Sequence, residues 1–301
     1  MTKFIKLLVH VMVFGTVAIF IILTILEKTL FEDSETLLHE KATKFYSSNR
    51  TVKLLILGSS RGEGDFIPSI LETNRKGYNF GLPGTGNKIW YYMLLDELDN
   101  SISRKVIVSI DLTEYPIQEG EDYNYNYYLK LPKNTHLYAS LETSTKTKIL
   151  PYPFFYFGNL KGFVSESLKD YINLTTITEN GFKGNTNVLS TRQFETISSD
   201  VDSINIRFNE KLWLDTFERI SKSNDTVYFV LAPTFHSYLK HLDYSNFKNN
   251  MQELSQKYSK VKFYDFSNSI HHRKLFYDPI HLNYNGAITF SEMLRDSIKK
   301  E

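Results

Sequence analysis

Four short apolar runs, separated by segments of helical periodicity, constrain the fold of this 301-residue chain more than any other feature. The runs read VKLLIL, KVIVSI, TVYFVL and VKFYDF, and they occupy Val52–Leu57, Lys105–Ile110, Thr226–Leu231 and Val261–Phe266. A nearly continuous apolar run of this length is typical of a strand that is buried on both faces, as in a parallel sheet. Tyr78–Phe80 is a shorter candidate for a further strand.

The segments between these runs carry apolar residues three and four positions apart, which predicts helices over Lys88–Leu98, Asn209–Ser221 and Asn246–Tyr258. A last helix follows Asn283, whose side chain is a suitable N-cap. Strands that alternate with helices favour a parallel sheet. We therefore predict an α/β fold, a three-layer α/β/α sandwich with a mostly parallel sheet of about five strands, in which ligands bind at the carboxyl ends of the strands.

The N-terminus carries a membrane signal. Residues 7–26 form an uncharged apolar run that, as a helix, spans about 30 Å, which is the thickness of the hydrocarbon core of a bilayer. The alternatives are a buried core helix or a cleaved signal peptide, but the run exceeds a typical signal h-region and no A-x-A-like site follows it. Because Lys3 and Lys6 precede the run, we expect a single-pass protein with residues 1–6 in the cytoplasm and the remaining chain outside, although Lys28 weakens the charge asymmetry.

The rest of the chain divides into a connecting segment and a domain. Residues 27–50 are polar with scattered apolar positions, which favours a juxtamembrane stalk, and the domain occupies residues 51–301. Within it, residues from about 115 to 203 are aromatic and polar with no period of 2 or 3.6, and we interpret them as an insertion that packs over the edge or mouth of the sheet. Exposed tyrosine, asparagine and phenylalanine suit a sugar-binding surface; a small satellite core is an equal alternative.

Composition excludes several kinds of chemistry. With 35 Lys plus Arg against 34 Asp plus Glu, the formal net charge is +1, so no bulk field attracts nucleic acid and we expect no nucleic-acid partner. The chain has no cysteine, which excludes disulfides, thiolate zinc sites and cysteine nucleophiles. The adjacent His271 and His272 lack the carboxylate spacing of a metal site. Catalysis would therefore depend on oxygen and imidazole groups.

A serine follows the first apolar run. The residues Gly58-Ser59-Ser60-Arg61 form a turn of small side chains that can present the Ser60 hydroxyl at the carboxyl end of the strand. The amide of Ser60 can then point toward a developing oxyanion. By itself the pattern fits a plain βα turn equally well.

A carboxylate and an imidazole lie together near the other end of the chain. Asp278 precedes His281 by three residues, and Pro279 keeps Asp278 out of a helix. In such a loop the carboxylate can accept the Nδ1 proton of His281 and leave Nε2 free to take a proton from a serine. Taken singly, Asp278 also suits a turn and His281 a core position. Taken with Ser60, they suggest a Ser-His-Asp triad.

The glycine-rich segment after the second predicted strand offers hydrogen-bond donors. Gly84 N–H and the Asn87 side chain, together with the Ser60 amide, are candidates for an oxyanion hole. Phosphate binding is a competing interpretation, because the spacing of the glycines is that of a P-loop. However, Asn87 intervenes before Lys88, and Ile89 stands where Ser or Thr would hold magnesium. We therefore expect no nucleotide, cofactor or metal.

The order of these blocks resembles the SGNH (GDSL-like) hydrolase superfamily, over roughly residues 52–299. The resemblance implies that Ser60 is the nucleophile, Gly84 the oxyanion-hole glycine, and Asp278 with His281 the terminal Asp-x-x-His block. It also implies a flavodoxin-like sheet. The combination of an N-terminal span with such a domain is similar to the DltD-type D-alanyl transfer proteins and the alginate O-acetylation proteins.

Two positions depart from the pattern of that superfamily. Ser59 stands where the first block usually has aspartate. The Gly-x-Asn-Asp block expected after the third strand is absent, since that strand ends Ser109-Ile110-Asp111. A third oxyanion donor is therefore unassigned, and Asn87 is the candidate replacement.

The resemblance implies a membrane-anchored serine esterase or O-acyltransferase that acts on acyl esters of extracytoplasmic, cell-envelope glycans. Its expected partners are an acylated glycan as substrate, the membrane through the N-terminal helix, and a membrane-bound acyltransferase. The alternative is a non-catalytic SGNH-like protein that binds a glycan or supports such an acyltransferase. The missing third block favours this alternative.

Overall fold

A computed structural model describes residues 2–26, 38–47, 51–72, 76–100, 102–112, 131–141, 146, 176–190 and 204–300. The helices in these ranges are α1 (Thr2–Leu26), α2 (Leu38–Phe45), α3 (Ser60–Asp65), α4 (Pro68–Leu71), α5 (Asn87–Leu98), α6 (His136–Ser140), α7 (Glu210–Lys222), α8 (His236–Leu239), α9 (Ser245–Lys257) and α10 (Tyr284–Lys299), and a 3₁₀ turn covers Arg273–Leu275. The strands are β1 (Leu54–Leu57), β2 (Gly77–Asn79), β3 (Lys105–Ser109), β4 (Thr176–Glu179), β5 (Phe182–Asn185), β6 (Ile204–Asn205), β7 (Thr226–Leu231), β8 (Leu242–Asp243) and β9 (Val261–Asp265).

The five predicted strands form one parallel sheet in the order β2-β1-β3-β7-β9. Ile56 of β1, for example, pairs with Asn79 on one side and Ile107 on the other. The prediction of an α/β fold with a parallel sheet is confirmed. After β1 the chain forms β2 on one side of β1, and it then crosses to the other side of β1 to form β3. The crevice for a ligand is therefore expected at the carboxyl ends of β1 and β3.

Helices cover both faces of the sheet. Leu55 and Leu57 point to one face, where they pack in a cluster with side chains of α5, α7 and α9. Leu54 and Ile56 point to the other face and pack with side chains of the segment 66–71 and of α10. Burying a side chain of this size contributes about 1.5–3 kcal/mol relative to leaving it in water. This two-sided burial explains why the strand sequences are continuously apolar instead of alternating.

The helix N-caps agree with the sequence. The side chain of Asn209 accepts a hydrogen bond from Leu212 N at the start of α7, and that of Asn283 accepts one from Gly286 N at the start of α10. An N-cap of this type contributes about 1 kcal/mol. The predicted cap of the last helix is thus confirmed, and it fixes the point at which the chain leaves the loop that carries His281.

Helix α1 is long and apolar enough to cross a membrane, and all of its side chains that the structure describes are exposed. Its Thr16 hydroxyl donates to the carbonyl of Met12, which satisfies that polar group within the helix.

Helix α2 differs from the expected stalk because it packs against the domain. Ala42 and Phe45, three positions apart on one face of the helix, are both 3% exposed. The ring of Phe45 contacts that of Phe80 edge-on, with centroids 5.3 Å apart. Lys41 is also buried. The polar composition of residues 27–50 suggested a stalk. The packing of α2 was missed because a few apolar residues are enough to dock two turns of helix. Residues 27–37 and 48–50 lie outside the described part of the chain.

The predicted insertion at about 115–203 is described at residues 131–141, 146 and 176–190, and its other residues lie outside the described part. Strands β4 and β5 form an antiparallel hairpin with a turn at Asn180 and Gly181. The carbonyl of Asn180 accepts a hydrogen bond of 2.8 Å from Asn79 N, and Phe182 is buried in the core. The hairpin therefore lies at the outer edge of β2, next to α3.

Candidate active site

The turn between β1 and α3 requires a glycine and delivers a serine. Gly58 has φ +158°, and a Cβ at this position would lie 2.8 Å from both Gly62 Cα and Ser109 Cβ. Only glycine fits there without displacing α3 or β3. Ser60 is then the first residue of α3, beside the point where the strand order reverses. Its backbone N–H has no acceptor within the helix, because the first turn of a helix leaves its amides unpaired.

A tightly bonded loop, Tyr277–Leu282, presents His281. Phe276 and Leu282 pair as an antiparallel bridge, and Tyr277 N donates to the carbonyl of His281 at 3.0 Å. Asp278 Oδ1 accepts hydrogen bonds from the backbone N–H groups of Ile280 and His281, at 2.9 and 2.8 Å. The carboxylate of Asp278 therefore holds the loop conformation with one oxygen and leaves the other oxygen for the imidazole.

The structure brings together three residues that the sequence separates. Ser60 Oγ lies 2.8 Å from His281 Nε2, although the two residues are 221 positions apart in the chain. His281 Nδ1 lies 2.8 Å from Asp278 Oδ2. With Nδ1 protonated and donating to the carboxylate, Nε2 is the acceptor that faces the serine hydroxyl. The contacts form a continuous Ser-His-Asp chain with the geometry required of a nucleophile, a base and a positioning carboxylate.

The charges around the imidazole alter its titration. Burial alone lowers the pKa of His281, but the hydrogen bond to Asp278 and the negative charges of Asp278 and Asp65 outweigh it, so the pKa lies above its usual 6.5. Burial likewise raises the pKa of Asp278, yet the hydrogen bond and charge of His281 and the two backbone donors hold it below its usual value. Asp278 is thus ionised throughout the range in which His281 titrates.

A second carboxylate, which the sequence did not single out, supports the loop from beneath. Asp65, at the end of α3, is fully buried, and its Oδ1 accepts a hydrogen bond of 3.0 Å from Leu282 N, directly after His281. Burial raises the pKa of Asp65 to about 6, against the opposing effect of the Arg61 charge. Arg61 lies 3.5 Å from Asp65 and donates to the carbonyls of Ala232 and Pro233. The i,i+4 spacing of Arg61 and Asp65 was the available sequence signal.

Asn79 is another residue whose role the sequence did not reveal. It is fully buried at the end of β2, and its Nδ2 contacts the carbonyls of Gly62, Glu63 and Phe66 at 2.7, 3.2 and 2.9 Å. Its Oδ1 accepts a hydrogen bond from Gly81 N. One side chain therefore joins α3, which carries Ser60, to the glycine-rich loop. A lone amide at the end of a short apolar strand was the only sequence signal.

The candidate oxyanion donors differ in accessibility. Gly84 is exposed, with φ +69° and open space where a Cβ would be, so its backbone is accessible to solvent. Asn87, by contrast, is fully buried: its Nδ2 donates to the carbonyl of Asp111 at 2.7 Å, and its Oδ1 accepts from Trp90 Nε1. This arrangement departs from the expected role of Asn87 as an oxyanion donor. Its side chain instead connects the start of α5 to the end of β3.

The position of the missing third block is occupied by Asp111. Its side chain is buried, and its Oδ2 accepts a hydrogen bond of 3.4 Å from the hydroxyl of Ser59. Ser59 and Asp111 therefore connect the two turns that follow β1 and β3. The Asp111 side chain offers an oxygen acceptor to Ser59 and has no N–H group, so it does not replace the amide donor that the family pattern has there.

No family model and no curated protein matches the chain. One of the solved structures that it resembles comes from Streptococcus pneumonia and is described, provisionally, as a platelet activating factor. The two chains are 14% identical with a TM-score of 0.39, and the match covers 92% of this chain and 98% of that one. At this TM-score the likeness supports no conclusion about this protein.

Proposed function

We propose that the protein is a membrane-anchored serine esterase or O-acyltransferase of the SGNH type, acting on acyl esters of cell-envelope glycans. The observation that carries the proposal is the continuous contact from Ser60 Oγ through His281 to Asp278, with both distances at 2.8 Å. A half-buried histidine between a serine and a carboxylate has few structural uses that require both contacts at once. It is the arrangement that activates a serine for attack on a carbonyl carbon.

The reaction follows from these contacts. Ser60 Oγ attacks the carbonyl carbon of the acyl ester while its proton passes to His281 Nε2, and the backbone amides of Ser60 and Gly84 would stabilise the oxyanion. The bond from the carbonyl carbon to the sugar oxygen then breaks, and His281 gives its proton to that oxygen. In the second half, His281 deprotonates a water or a sugar hydroxyl, which attacks the carbonyl carbon of the acyl-serine. The bond from that carbon to Ser60 Oγ then breaks, and His281 returns the proton to Oγ. Water as the acceptor gives hydrolysis, and a sugar hydroxyl gives transfer.

Two further features support the proposed membrane location of the protein and the proposed glycan substrate. Helix α1 provides a membrane anchor by length and composition, and the two lysines before its apolar part favour a cytoplasmic N-terminus and an extracytoplasmic domain. The aromatic and polar composition of the insertion, together with the position of its hairpin beside α3, suits a surface that binds sugar rings near the serine. A membrane-bound acyltransferase would be the source of the acyl group if the reaction is a transfer.

The proposal is tested by covalent labelling of the full-length protein, in detergent, with a fluorescent fluorophosphonate. We expect one label per chain, lost in Ser60→Ala and strongly reduced in His281→Asn. Ser59→Ala is the matched control: its hydroxyl is buried against Asp111, one residue from the nucleophile, and this variant should still be labelled. A folded wild-type protein that takes up no label, or one labelled equally well after Ser60→Ala, would refute the proposed chemistry.

A non-catalytic role in glycan binding or in support of an acyltransferase remains the second candidate. The observation that favours it is the oxyanion side of the cleft, where Asp111 replaces the expected amide donor and the Asn87 side chain is engaged elsewhere. Such a protein would retain an acetylated oligosaccharide without releasing acetate. Binding without turnover, measured by calorimetry together with acetate release, would establish this candidate over the first.

A further inference from the structure

The direction in which α2 crosses the domain has a consequence for where the active site lies. The carboxyl ends of the parallel strands, which carry Ser60 and the glycine-rich loop, form what we call the catalytic end of the sheet. At the N-terminal half of α2, Lys41 Nζ lies 2.6 Å from Glu63 Oε1 and 3.0 Å from the carbonyl of Gly81. Glu63 belongs to α3, and Gly81 follows β2. The start of α2 is therefore at the catalytic end.

The residues after Lys41 lead away from that end. Helix α5 starts beside Asp111 and ends shortly before β3, so it runs antiparallel to the strands. Tyr46, just past the end of α2, donates from its hydroxyl to Asp96 Oδ2 in the last turn of α5, at 2.8 Å. Ser47 lines a cavity together with Arg104, the residue immediately before β3. Helix α2 thus starts at the catalytic end and is directed toward the opposite end of the sheet, which Tyr46 and Ser47 approach just beyond the helix.

A buried ion pair stabilises the attachment of α2 at the catalytic end. Lys41 is 4% and Glu63 8% exposed, and breaking a buried ion pair of this kind leaves an uncompensated charge inside the protein. Glu63 lies three residues after Ser60 in α3. The chain that arrives from the membrane helix is thus held against the same helix that carries the nucleophile.

The distance from α1 is limited by the length of chain. Leu26 and Leu38 are separated by twelve peptide units, which extend at most about 40 Å. If α1 spans the bilayer, the catalytic end is the end of the domain to which the chain from the membrane is attached. We infer that the catalytic cleft faces the bilayer surface, and that its ester substrate is borne by a molecule anchored in the same membrane rather than by a free polymer. This inference rests on the proposed function.

The orientation can be measured without reference to activity, because the chain contains no cysteine. His236 follows β7 at the catalytic end, Asn100 lies between α5 and β3 at the opposite end, and both are exposed. His236→Cys and Asn100→Cys, each labelled with the same donor dye, are reconstituted as full chains in phosphatidylcholine vesicles that contain a rhodamine-labelled lipid. We expect more energy transfer from position 236 than from position 100. Equal transfer, or the reverse order, overturns the inferred orientation.

The substrate class is tested with two esters that differ only in their anchor, methyl 6-O-acetyl-glucoside and hexadecyl 6-O-acetyl-glucoside. A 30-residue Gly/Ser segment is inserted between Asp33 and Ser34 of the vesicle-bound protein, where it touches none of the described contacts. We expect hydrolysis of the hexadecyl ester to fall roughly five- to tenfold, because effective concentration declines with tether length, while hydrolysis of the methyl ester is unchanged. Equal rates on the hexadecyl ester with and without the insertion overturn the inference. If neither ester is hydrolysed although the energy transfer has the expected order, the proposed function fails and the orientation stands.

Discussion

Replacing Asp278 by asparagine separates the two tasks of this side chain. The amide oxygen of the introduced side chain can still accept the backbone hydrogen bonds from Ile280 and His281, so the loop should keep its conformation. The amide nitrogen, however, would then face His281 Nδ1, where Oδ2 now lies at 2.8 Å. An N–H donor at that position selects the tautomer that carries its proton on Nε2. That tautomer cannot accept the proton of Ser60.

The expected loss in kcat for Asp278→Asn is about 10⁴-fold, which corresponds to about 5.4 kcal/mol in activation free energy. The remaining activity should also show its acid limb at lower pH, since the hydrogen bond and the charge of Asp278, which are the two largest interactions that raise the pKa of His281, are removed and burial, which lowers it, remains. The assay is hydrolysis of an aryl acetate between pH 5 and 9, with thermal unfolding as a check on folding. A well-folded variant within tenfold of the wild-type rate would show that Asp278 does not orient the imidazole.

Further predictions concern the pH profile and the supporting residues. Wild-type kcat/KM should fall as the pH drops through the raised pKa of His281, with half-maximal activity above pH 6.5; a midpoint clearly below 6.5 would contradict the charge arrangement. Asp65→Asn keeps an acceptor for Leu282 N but removes a negative charge near the imidazole, so the midpoint should shift downward with a loss in kcat of less than about tenfold. Asn79→Ala removes two N–H donors, which three backbone carbonyls share, and the acceptor of Gly81 N, so it should lower the unfolding free energy by about 3 kcal/mol in urea titration, at about 1 kcal/mol per bond. Gly58→Ala should cost about 3 kcal/mol or more, because the added methyl group meets two atoms at 2.8 Å on a backbone with positive φ; unchanged stability would refute this interpretation of the turn.

The parallel sheet and its order of helices could be predicted because continuous apolar runs are diagnostic of strands buried on both faces. The Ser60 and His281 segments could be predicted because each follows residues that favour a turn or loop, Gly58 before Ser60 and Asp278-Pro279 before His281. Their 2.8 Å contact could not, since it depends on how α3 and the loop after the 3₁₀ turn meet across the sheet.

The errors of the sequence-based interpretation have a common physical cause. Asn87 has the type and spacing of an oxyanion donor, but a primary amide serves equally well to join two loops, and only its partners decide between these uses. Lys41 and Asp65 were not singled out from the sequence, because charged side chains are most often on the surface. Each is buried because it pairs with an opposite charge or a backbone amide from a distant segment, and such long-range contacts leave no pattern in the nearby sequence.

Because the serine and the histidine are 221 positions apart, the ribosome synthesises them at different times. A ribosome adds about 5–20 residues each second, so the base is synthesised roughly 10 to 40 s after the nucleophile. Throughout that interval the emerging polypeptide carries an ordinary alcohol without a proton acceptor. On the proposed function, such a chain is unreactive toward esters until the loop that carries His281 has docked against α3.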